Sequence, residues 1–271
     1  MRRCVYLLAG VLLLGASYET EILTWRAERE SRLKSDDGWL TVAGLFWLKE
    51  GRNTFGTARI NDIVLPEGAA QAGWFELRAG RVTVHLAGEK PRALEPDREA
   101  AASVRIQDLT MFPIRRGARY AIRLRDRNSS FRREFTGLRW YPVKEPARIT
   151  ARFVAAPAEI TVPNILGQSE REKSPGYAVF AWEGHELRLR PTVEDGRLFF
   201  VFRDLTSGRE TYPAGRFLYA EMPRDGRVVL DFNKAYNPPC AFTPYATCPL
   251  PPAENRMPVR MEAGELKYGS H

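Results

Sequence analysis

Histidine and cysteine are scarce in this chain, which has three of each among its 271 residues. His85 and His185 lie in strand-like runs without a partner at ligand spacing, and His271 is the last residue. With so little imidazole, both a zinc site and a Cys–His nucleophile are disfavoured. We therefore predict that the protein binds no metal.

Several familiar catalytic and nucleotide-binding motifs are also missing. The sequence has no glycine-rich phosphate loop, no dinucleotide fingerprint, no H-E-x-x-H and no G-x-S-x-G. Ser31 to Lys34 spells S-x-x-K, but the companion motifs of serine acylases are absent. We predict no cofactor, and the sequence leaves open whether the protein is an enzyme.

Acidic residues are in the minority, with 33 against 41 basic residues and a formal net charge of +8. The basic residues are mostly arginine and are spread along the whole length, whereas a nucleic-acid binder concentrates them in a patch with aromatic residues. The densest run, residues 115–133, contains RYAIRLRDR. Charge at alternate positions is typical of the solvated face of a strand. We predict no nucleic-acid partner.

The chain begins with a pattern typical of a signal peptide. Arg2 and Arg3 precede an apolar run over residues 5–14, and small residues follow at 15–17. We predict that residues 1–17 are cleaved, that the protein is exported to a periplasmic or extracellular space, and that no membrane span remains. The alternative is an uncleaved apolar start of a cytosolic protein.

Residues 18–35 place apolar side chains at helical spacing, with acidic residues first and basic residues later, which predicts one amphipathic helix. From residue 36 onward, short runs of β-branched and aromatic residues alternate with glycine-containing turns such as Glu183-Gly184, Asp195-Gly196 and Asp225-Gly226. The sequence predicts a mostly β fold with two β-rich parts, residues 36–145 and residues 146–271.

The first β-rich part contains NTFGTARINDIVLPEGAAQAGWFELRAGRVTVHL, at residues 53–86. This stretch resembles a forkhead-associated domain, and the resemblance implies a β-sandwich over residues 36–145. In that family a Gly-Arg pair and a Ser-x-x-His group hold phosphothreonine. Here Thr57 follows Gly56, and Gln71 and Trp74 stand where Ser and His would lie. The resemblance therefore implies a structural or docking role, with Asp62 serving a turn.

A second resemblance covers nearly all of the mature chain. It rests on GWLTVAGLFWLKEGRNTFG from residue 38, PNILGQSEREKSPGYAVF from residue 163, LFFVFRDLTSGRETYPAGRFLYAE from residue 198 and VVLDFNKAYNPPCAFTPYATCPLPPAENRMPVRMEAGE from residue 228. By these motifs the chain is identified as a member of the bacterial and archaeal domain of unknown function 1684. That resemblance implies a family but no activity.

Residues 235–256 form a proline-rich segment that can be neither a helix interior nor a central strand. Its aromatic residues favour an ordered segment that closes the second β subdomain. Cys240 and Cys248 lie within it, and in an exported chain they are most simply a disulfide, which would stabilise the fold by roughly 2.5 kcal/mol. The alternative is a reactive Cys240.

Polar residues before and within the proline-rich segment form the candidate site, because they can bind carboxylate, phosphate or sugar groups. The same residues could instead form a buried ion pair and hold an irregular loop. The predicted ligand-binding residues are Arg203, Asp204, Arg216, Tyr219, Asp231, Asn233, Tyr236, Asn237 and Arg256.

Three classes of function stay open at this stage. The first is a binding module for a small polar or anionic ligand in the second subdomain. The second is a hydrolase-like enzyme that uses carboxylates or the Cys240 thiolate at the same place. The third is a structural or protein-docking role, which an exposed aromatic patch in the first half would favour.

Overall fold

One long helix precedes sixteen strands in the computed structural model, which describes residues 4–269 and their side chains from Tyr18 onward. The predicted mostly β fold with an N-terminal helix is confirmed. Helix α1 spans Cys4–Lys34. The signal peptide predicted for residues 1–17 falls partly on residues 1–3, outside the described residues, and partly on a helical segment whose side chains are not described. His271 also lies outside the described residues. No helix in the described part of the chain is long and apolar enough to cross a membrane.

The chain divides into two units. The first comprises helix α1 up to Arg32, Thr136–Phe242 and the residues from Thr247 onward; the second comprises Leu33–Phe135 and Thr243–Ala246. Short 3-10 turns connect elements in both, at Trp39–Thr41, Glu145–Ala147, Phe232–Lys234, Pro239–Ala241 and Ala253–Asn255.

The second unit consists of two sheets. A five-stranded sheet has the order β3-β2-β4-β5-β6, and a four-stranded sheet has the order β1-β9-β8-β7. A short helix α2, Ser130–Arg133, follows β9. The strands are β1 (Val42–Trp47), β2 (Gly51–Gly56), β3 (Ile63–Val64), β4 (Gly73–Arg78), β5 (Arg81–Leu86), β6 (Arg92–Leu94), β7 (Val104–Ile106), β8 (Leu109–Arg116) and β9 (Arg119–Asp126).

Both sheets of this unit contribute to one core. Phe55 and Phe75 from the five-stranded sheet are fully buried and their ring centroids lie 4.7 Å apart. Met111 and Ile122 from the four-stranded sheet belong to the same apolar cluster. Alternation along each strand directs these residues inward, as expected for a sandwich-like arrangement.

The prediction that the charged face of residues 115–133 is solvated was wrong for two arginines on β9. Arg123 and Arg125 are only 5% and 8% exposed. The Arg125 guanidinium makes two hydrogen bonds to Glu99, at 2.6 and 3.0 Å, and donates to the Gly38 carbonyl at 2.7 Å. The Arg123 guanidinium lies 4.9 Å from the ring centre of Trp39. Partners from outside the strand cover this face, and period-two alternation cannot reveal them.

Asp62, predicted to serve a turn, closes the segment between β2 and β3. Its carboxylate accepts hydrogen bonds from the Thr54 backbone N–H at 2.8 Å and from Lys49 Nζ at 2.6 Å. The Asn61 side chain donates to the carbonyls of Ala58 and Ala70, both at 2.8 Å. These bonds satisfy the irregular backbone of the loop, as buried amides require.

The first unit contains a four-stranded sheet of order β12-β11-β10-β16 and a three-stranded sheet of order β13-β14-β15. The β10–β11 hairpin is longer than its apolar runs predict, because the outer half of β11 is polar. The strands are β10 (Arg148–Pro163), β11 (Ser169–Trp182), β12 (His185–Leu189), β13 (Thr192–Glu194), β14 (Arg197–Phe202), β15 (Arg216–Ala220) and β16 (Arg227–Asp231).

The core of this unit lies between those sheets. Phe200, Phe202 and Leu218 from the three-stranded sheet and Leu230 from β16 are fully buried in one apolar cluster. On β16, Val228 and Leu230 point into this core, which leaves alternate residues, beginning with the exposed Arg227, on the opposite face. That opposite face forms part of the candidate site.

The proline-rich segment is ordered and packs against the tip of the β10–β11 hairpin. Asn164 pairs with Pro249, the Ile165 N–H donates to the Cys248 carbonyl at 3.0 Å, and the Leu250 N–H donates to the Pro163 carbonyl at 2.7 Å. These bonds tie the prolines to a sheet without placing them inside a strand.

Candidate functional site

A cleft of about 950 Å³ opens on the first unit, and we call it the basic cleft. Its walls come from helix α1, the starts of β10 and β14, the end of β15, and the chain from residue 221 through β16 to the following 3-10 turn. Its lining comprises Trp25, Arg29, Arg32, Arg148, Arg197, Tyr219, Ala220, Glu221, Met222, Arg224, Arg227, Val228, Val229, Asp231, Lys234 and Tyr236. Seven of these side chains are cationic, whereas only Glu221 and Asp231 are acidic. The cleft is therefore strongly positive.

Of the predicted site residues, the cleft brings together Tyr219, Asp231 and Tyr236. Asp231 is the last residue of β16. Its Oδ1 accepts hydrogen bonds from the Tyr18 hydroxyl at 2.9 Å and from the Asn233 backbone N–H at 3.2 Å. Its other oxygen lies 3.9 Å from Lys234 Nζ, which also contacts Glu21 at 2.5 Å. The Asp231 carboxylate is thus already engaged by protein donors.

Tyr18 and the two cleft tyrosines all stay protonated near neutral pH. Burial, followed by the nearby Asp231 carboxylate, raises the pKa of Tyr18. Burial also raises the pKa of Tyr236 to about 12, although the adjacent Arg29 opposes the shift. The pKa of Tyr219 is raised as well, by burial, by Tyr236 and by the hydrogen bond it donates to Glu194. None of these phenols is suited to act as a general base.

The rings of Tyr219 and Tyr236 are nearly parallel, with centroids 6.4 Å apart and an interplanar angle of 16°. Arg197 lies over the Tyr219 ring at 4.4 Å, and Arg29 lies over the Tyr236 ring at 4.3 Å. Tyr219 also stacks on Phe199 at 4.8 Å. Cation–π contacts of this kind orient a guanidinium while its in-plane N–H groups can still donate to an anion.

Arg29 is anchored from behind by Glu265, a fully buried carboxylate that the sequence analysis missed. Arg29 Nε lies 3.4 Å from Glu265 Oε2, and Arg29 Nη2 donates to the Asn237 carbonyl at 2.9 Å. The Asn237 side chain donates to Glu265 Oε1 at 2.8 Å. Burial raises the pKa of Glu265, while Arg29 and Asn237 oppose that shift. The carboxylate holds the arginine in place at the wall of the cleft.

Glycine at position 264 permits this arrangement. Gly264 has φ of +84°, and a Cβ there would lie 2.5 Å from the Ala235 carbonyl oxygen. The close approach lets the Glu265 N–H donate to that carbonyl at 2.8 Å, which fixes Glu265 beside Asn237. The Gly264-Glu265 pair is the one local sequence signal for this buried carboxylate. Its partners Arg29 and Asn237 lie far away in sequence, so the sequence alone does not indicate the contact.

Four cleft arginines have no carboxylate within salt-bridge distance among the described residues. All four are exposed, and the two that have an aromatic neighbour only stack on its ring. Arg32, by contrast, lies 3.6 Å from Glu28. The four are Arg148, Arg197, Arg224 and Arg227.

The remaining predicted site residues do not line the cleft. Arg216 and Asp204 form a fully buried ion pair at 2.6 Å, and the same guanidinium donates to the Met261 carbonyl at 2.9 Å. Asn233 bonds to both backbone groups of Lys144, with its Oδ1 accepting at 2.9 Å and its Nδ2 donating at 2.7 Å. These side chains are occupied in holding the fold.

Arg203 and Arg256 also lie outside the cleft lining. Their backbones form an isolated parallel bridge, and the Met257 N–H donates to the Arg203 carbonyl at 2.8 Å. The Arg256 side chain is exposed. Together with Asn237, which is buried behind Arg29, these residues do not form one site with Asp231.

The predicted disulfide is not present in the structure, because Cys240 and Cys248 are not bonded to each other. The Cys240 backbone N–H instead donates to Cys248 Sγ at 3.2 Å. Hydrogen bonding to Cys248 lowers the pKa of the Cys240 thiol, although burial opposes the shift. Neither cysteine lines the basic cleft. Within the described part of the chain, no three His, Cys, Asp or Glu side chains converge on a common metal position.

Comparisons with known proteins identify a family whose function is not known. Residues 133–266 match the family described as "Protein of unknown function (DUF1684)". A solved structure, the solution NMR structure of an uncharacterized protein from gene locus rrnAC0354 of Haloarcula marismortui, is 30% identical to this chain. That match covers 50% of this chain and 78% of the other, with a TM-score of 0.42. No curated protein matches the chain. The resemblance to a forkhead-associated domain is not supported by these comparisons.

Proposed function

Since the chain belongs, through residues 133–266, to a family of proteins of unknown function, DUF1684, we propose that it is a binding module whose basic cleft takes a small anionic ligand. The starts of strands β10, β14 and β16 and the turn before β16 present the binding arginines. The tyrosine pair orients the guanidinium groups of Arg197 and Arg29. The cleft has ample volume for a small molecule, at about 950 Å³.

The observation that carries this proposal is the set of four exposed arginines without a carboxylate partner. Guanidinium groups that share one concavity repel each other, and a bound anion offsets that repulsion. Each group can also form two parallel hydrogen bonds to a carboxylate or a phosphate. Anion binding therefore makes use of guanidinium groups that have no carboxylate within salt-bridge distance among the described residues.

Binding is favoured over hydrolysis by the state of the other cleft groups. Asp231 already accepts hydrogen bonds from Tyr18 and Asn233, so it is poorly placed to accept a proton from water. The cleft phenols are held protonated by their raised pKa values. Cys240, the alternative nucleophile, is not part of the lining.

Export of the mature protein is part of the proposal and rests on the charged, apolar and small-residue pattern of residues 1–17. An exported binding module would meet its ligand outside the cytoplasm. Fusion of residues 1–17 to a reporter that is active only after export tests this point.

Thermal unfolding in the presence of inorganic phosphate tests the proposed function. A ligand that binds the native state raises the melting temperature as its concentration exceeds the dissociation constant. We expect phosphate to raise the melting temperature of the unmodified protein. The double variant Arg224→Ala/Arg227→Ala removes two of the four arginines that have no salt-bridge partner in the described part of the chain, so it should lose most of that shift.

A matched control is the double variant Arg209→Ala/Arg256→Ala. These two arginines are exposed in the same unit but lie outside the cleft lining. The control removes the same charge, so it should keep the phosphate-dependent shift. Equal loss in both variants would mean that phosphate responds to net charge alone, and the proposed function would then be wrong.

A further inference from the structure

Building on the proposed function, we infer that the ligand of the basic cleft is an extended, multiply charged anion of the oligophosphate class, recognised through its phosphates. A single phosphate would not satisfy the cleft. The inference rests on two observations: the spacing of the four cleft arginines that have no salt-bridge partner within the described structure, and the side chains that already stack on the rings of Tyr219 and Tyr236.

Strand register gives the spacing. Arg227 begins β16, and Arg148 pairs with Asp231 at the other end of that strand. Four residues of extended chain separate these two positions, a distance of about 13 Å at about 3.3 Å per residue. Arg227 and Asp231 lie on the same face of β16, and Arg148, directly opposite Asp231, shares that face. The positive charge is therefore spread along the strand instead of converging on one point.

Two further arginines widen the distribution. Arg224 lies in the turn before β16, and Arg197 begins β14, so neither belongs to the β10–β16 pair. An anion with one charged group can engage one end of this array. A chain of phosphates can engage both ends at once, with bidentate hydrogen bonds at each.

The two tyrosine rings of the cleft are already covered, so an aromatic group of the ligand cannot stack on them. Arg29 covers the Tyr236 ring, while Arg197 and Phe199 both stack on Tyr219. A planar base would have to displace a guanidinium to stack on either ring. The phosphate chain should therefore supply nearly all of the binding free energy, with or without an attached nucleoside.

Calorimetric titration of the full chain with three probes tests this inference: orthophosphate, tripolyphosphate and a nucleoside triphosphate, each without divalent metal. We expect tripolyphosphate to bind more tightly than orthophosphate by about tenfold or more, the gain from even one additional charge-assisted hydrogen bond. The nucleoside triphosphate should match tripolyphosphate within about threefold. Arg148→Ala, at the far end of the array, should weaken tripolyphosphate binding but barely change orthophosphate binding if orthophosphate occupies the Arg224 and Arg227 end.

Each alternative result has a distinct meaning. Equal affinities for orthophosphate and tripolyphosphate would overturn the oligophosphate inference while leaving anion binding intact. A nucleoside triphosphate that binds far more tightly than tripolyphosphate would overturn recognition through the phosphates alone. Absence of binding by all three probes, or binding unchanged in Arg224→Ala/Arg227→Ala, would overturn the proposed function itself.

Discussion

The guanidinium of Arg29 lies 4.3 Å from the centre of the Tyr236 ring, and its Nε lies 3.4 Å from Oε2 of the fully buried Glu265. Helix α1 and the start of the proline-rich segment are thereby joined through one side chain. The contact explains why residues at opposite ends of the sequence line the same cleft. It also makes Glu265 a structural residue with a measurable contribution.

Glu265→Gln should destabilise the protein by about 3 kcal/mol, because it leaves the mostly buried Arg29 guanidinium without its counter-charge. With the glutamine amide nitrogen at the position of Glu265 Oε2, the N–H groups of Arg29 and Asn237 would face another donor and lose their acceptor. Urea unfolding followed by circular dichroism measures the change. Glu262→Gln is the control, since its ion pairs with Lys144 and Arg260 are solvent-accessible and should contribute less than about 1 kcal/mol.

The Asp62 carboxylate should make stability depend on acidity. The hydrogen bond from Lys49, with help from Thr54, lowers the pKa of Asp62 from 3.8 to about 2 in the folded state. Its stabilising contribution is therefore fully present above the unfolded-state pKa and is lost as the pH falls from about 4 to about 2. Because the side chain is partly exposed, solvent screening keeps the effect modest.

Asp62→Asn is the variant that isolates this contribution. Over that pH range the unmodified protein should lose more free energy of unfolding than the variant does. Parallel denaturation curves at several pH values would show it. If the two proteins lose stability in parallel, the Lys49–Asp62 contact does not contribute in solution.

Cys240 and Cys248 should react at different rates with a thiol reagent in the folded protein. Cys240 is half-buried and its thiol pKa is lowered, whereas Cys248 is only 4% exposed. Labelling followed by mass spectrometry should therefore modify Cys240 first. If both cysteines resist labelling until a reductant is added, they form a disulfide in the isolated protein.

Local turn chemistry was readable from the sequence. Glu183-Gly184, Asp195-Gly196 and Asp225-Gly226 were interpreted as hairpin turns, and both residues of each pair have positive φ, as a type I′ turn requires. The apolar alternation of residues 74–78 and 82–86 likewise predicts two strands, and these nearly coincide with β4 and β5. Signals confined to a few consecutive residues do not depend on tertiary context.

The sequence predicts the outer half of β11 and strand β8 poorly, for two different reasons. The outer half of β11 reads SEREKS, which has little β propensity, and β8 contains Pro113, which argues against a paired strand. Both are nevertheless paired along their length. Pairing with a neighbouring strand decides such segments, and a single sequence does not show that neighbour.

The candidate site was predicted only in part for a related reason. Tyr219, Asp231 and Tyr236 lie close together in sequence near β15 and β16, and they do line the cleft. Arg29 and Arg148 come from distant segments, and the register of β10 against β16 brings Arg148 to the site. Most of the other predicted residues hold the fold, which is the alternative that the sequence leaves open. Arg216 and Asp204 form a buried ion pair, and Asn233 and Asn237 bond to backbone groups.

Co-crystallisation of the protein with tripolyphosphate tests the central claim most directly. We predict electron density for the anion in the basic cleft, with phosphate oxygens within about 3.2 Å of the guanidinium groups of Arg224 and Arg227. Density reaching toward Arg148 would agree with the 13 Å spread, about four residues of strand, inferred above. An empty cleft in crystals grown at saturating tripolyphosphate, or an anion bound only elsewhere on the surface, would contradict the account.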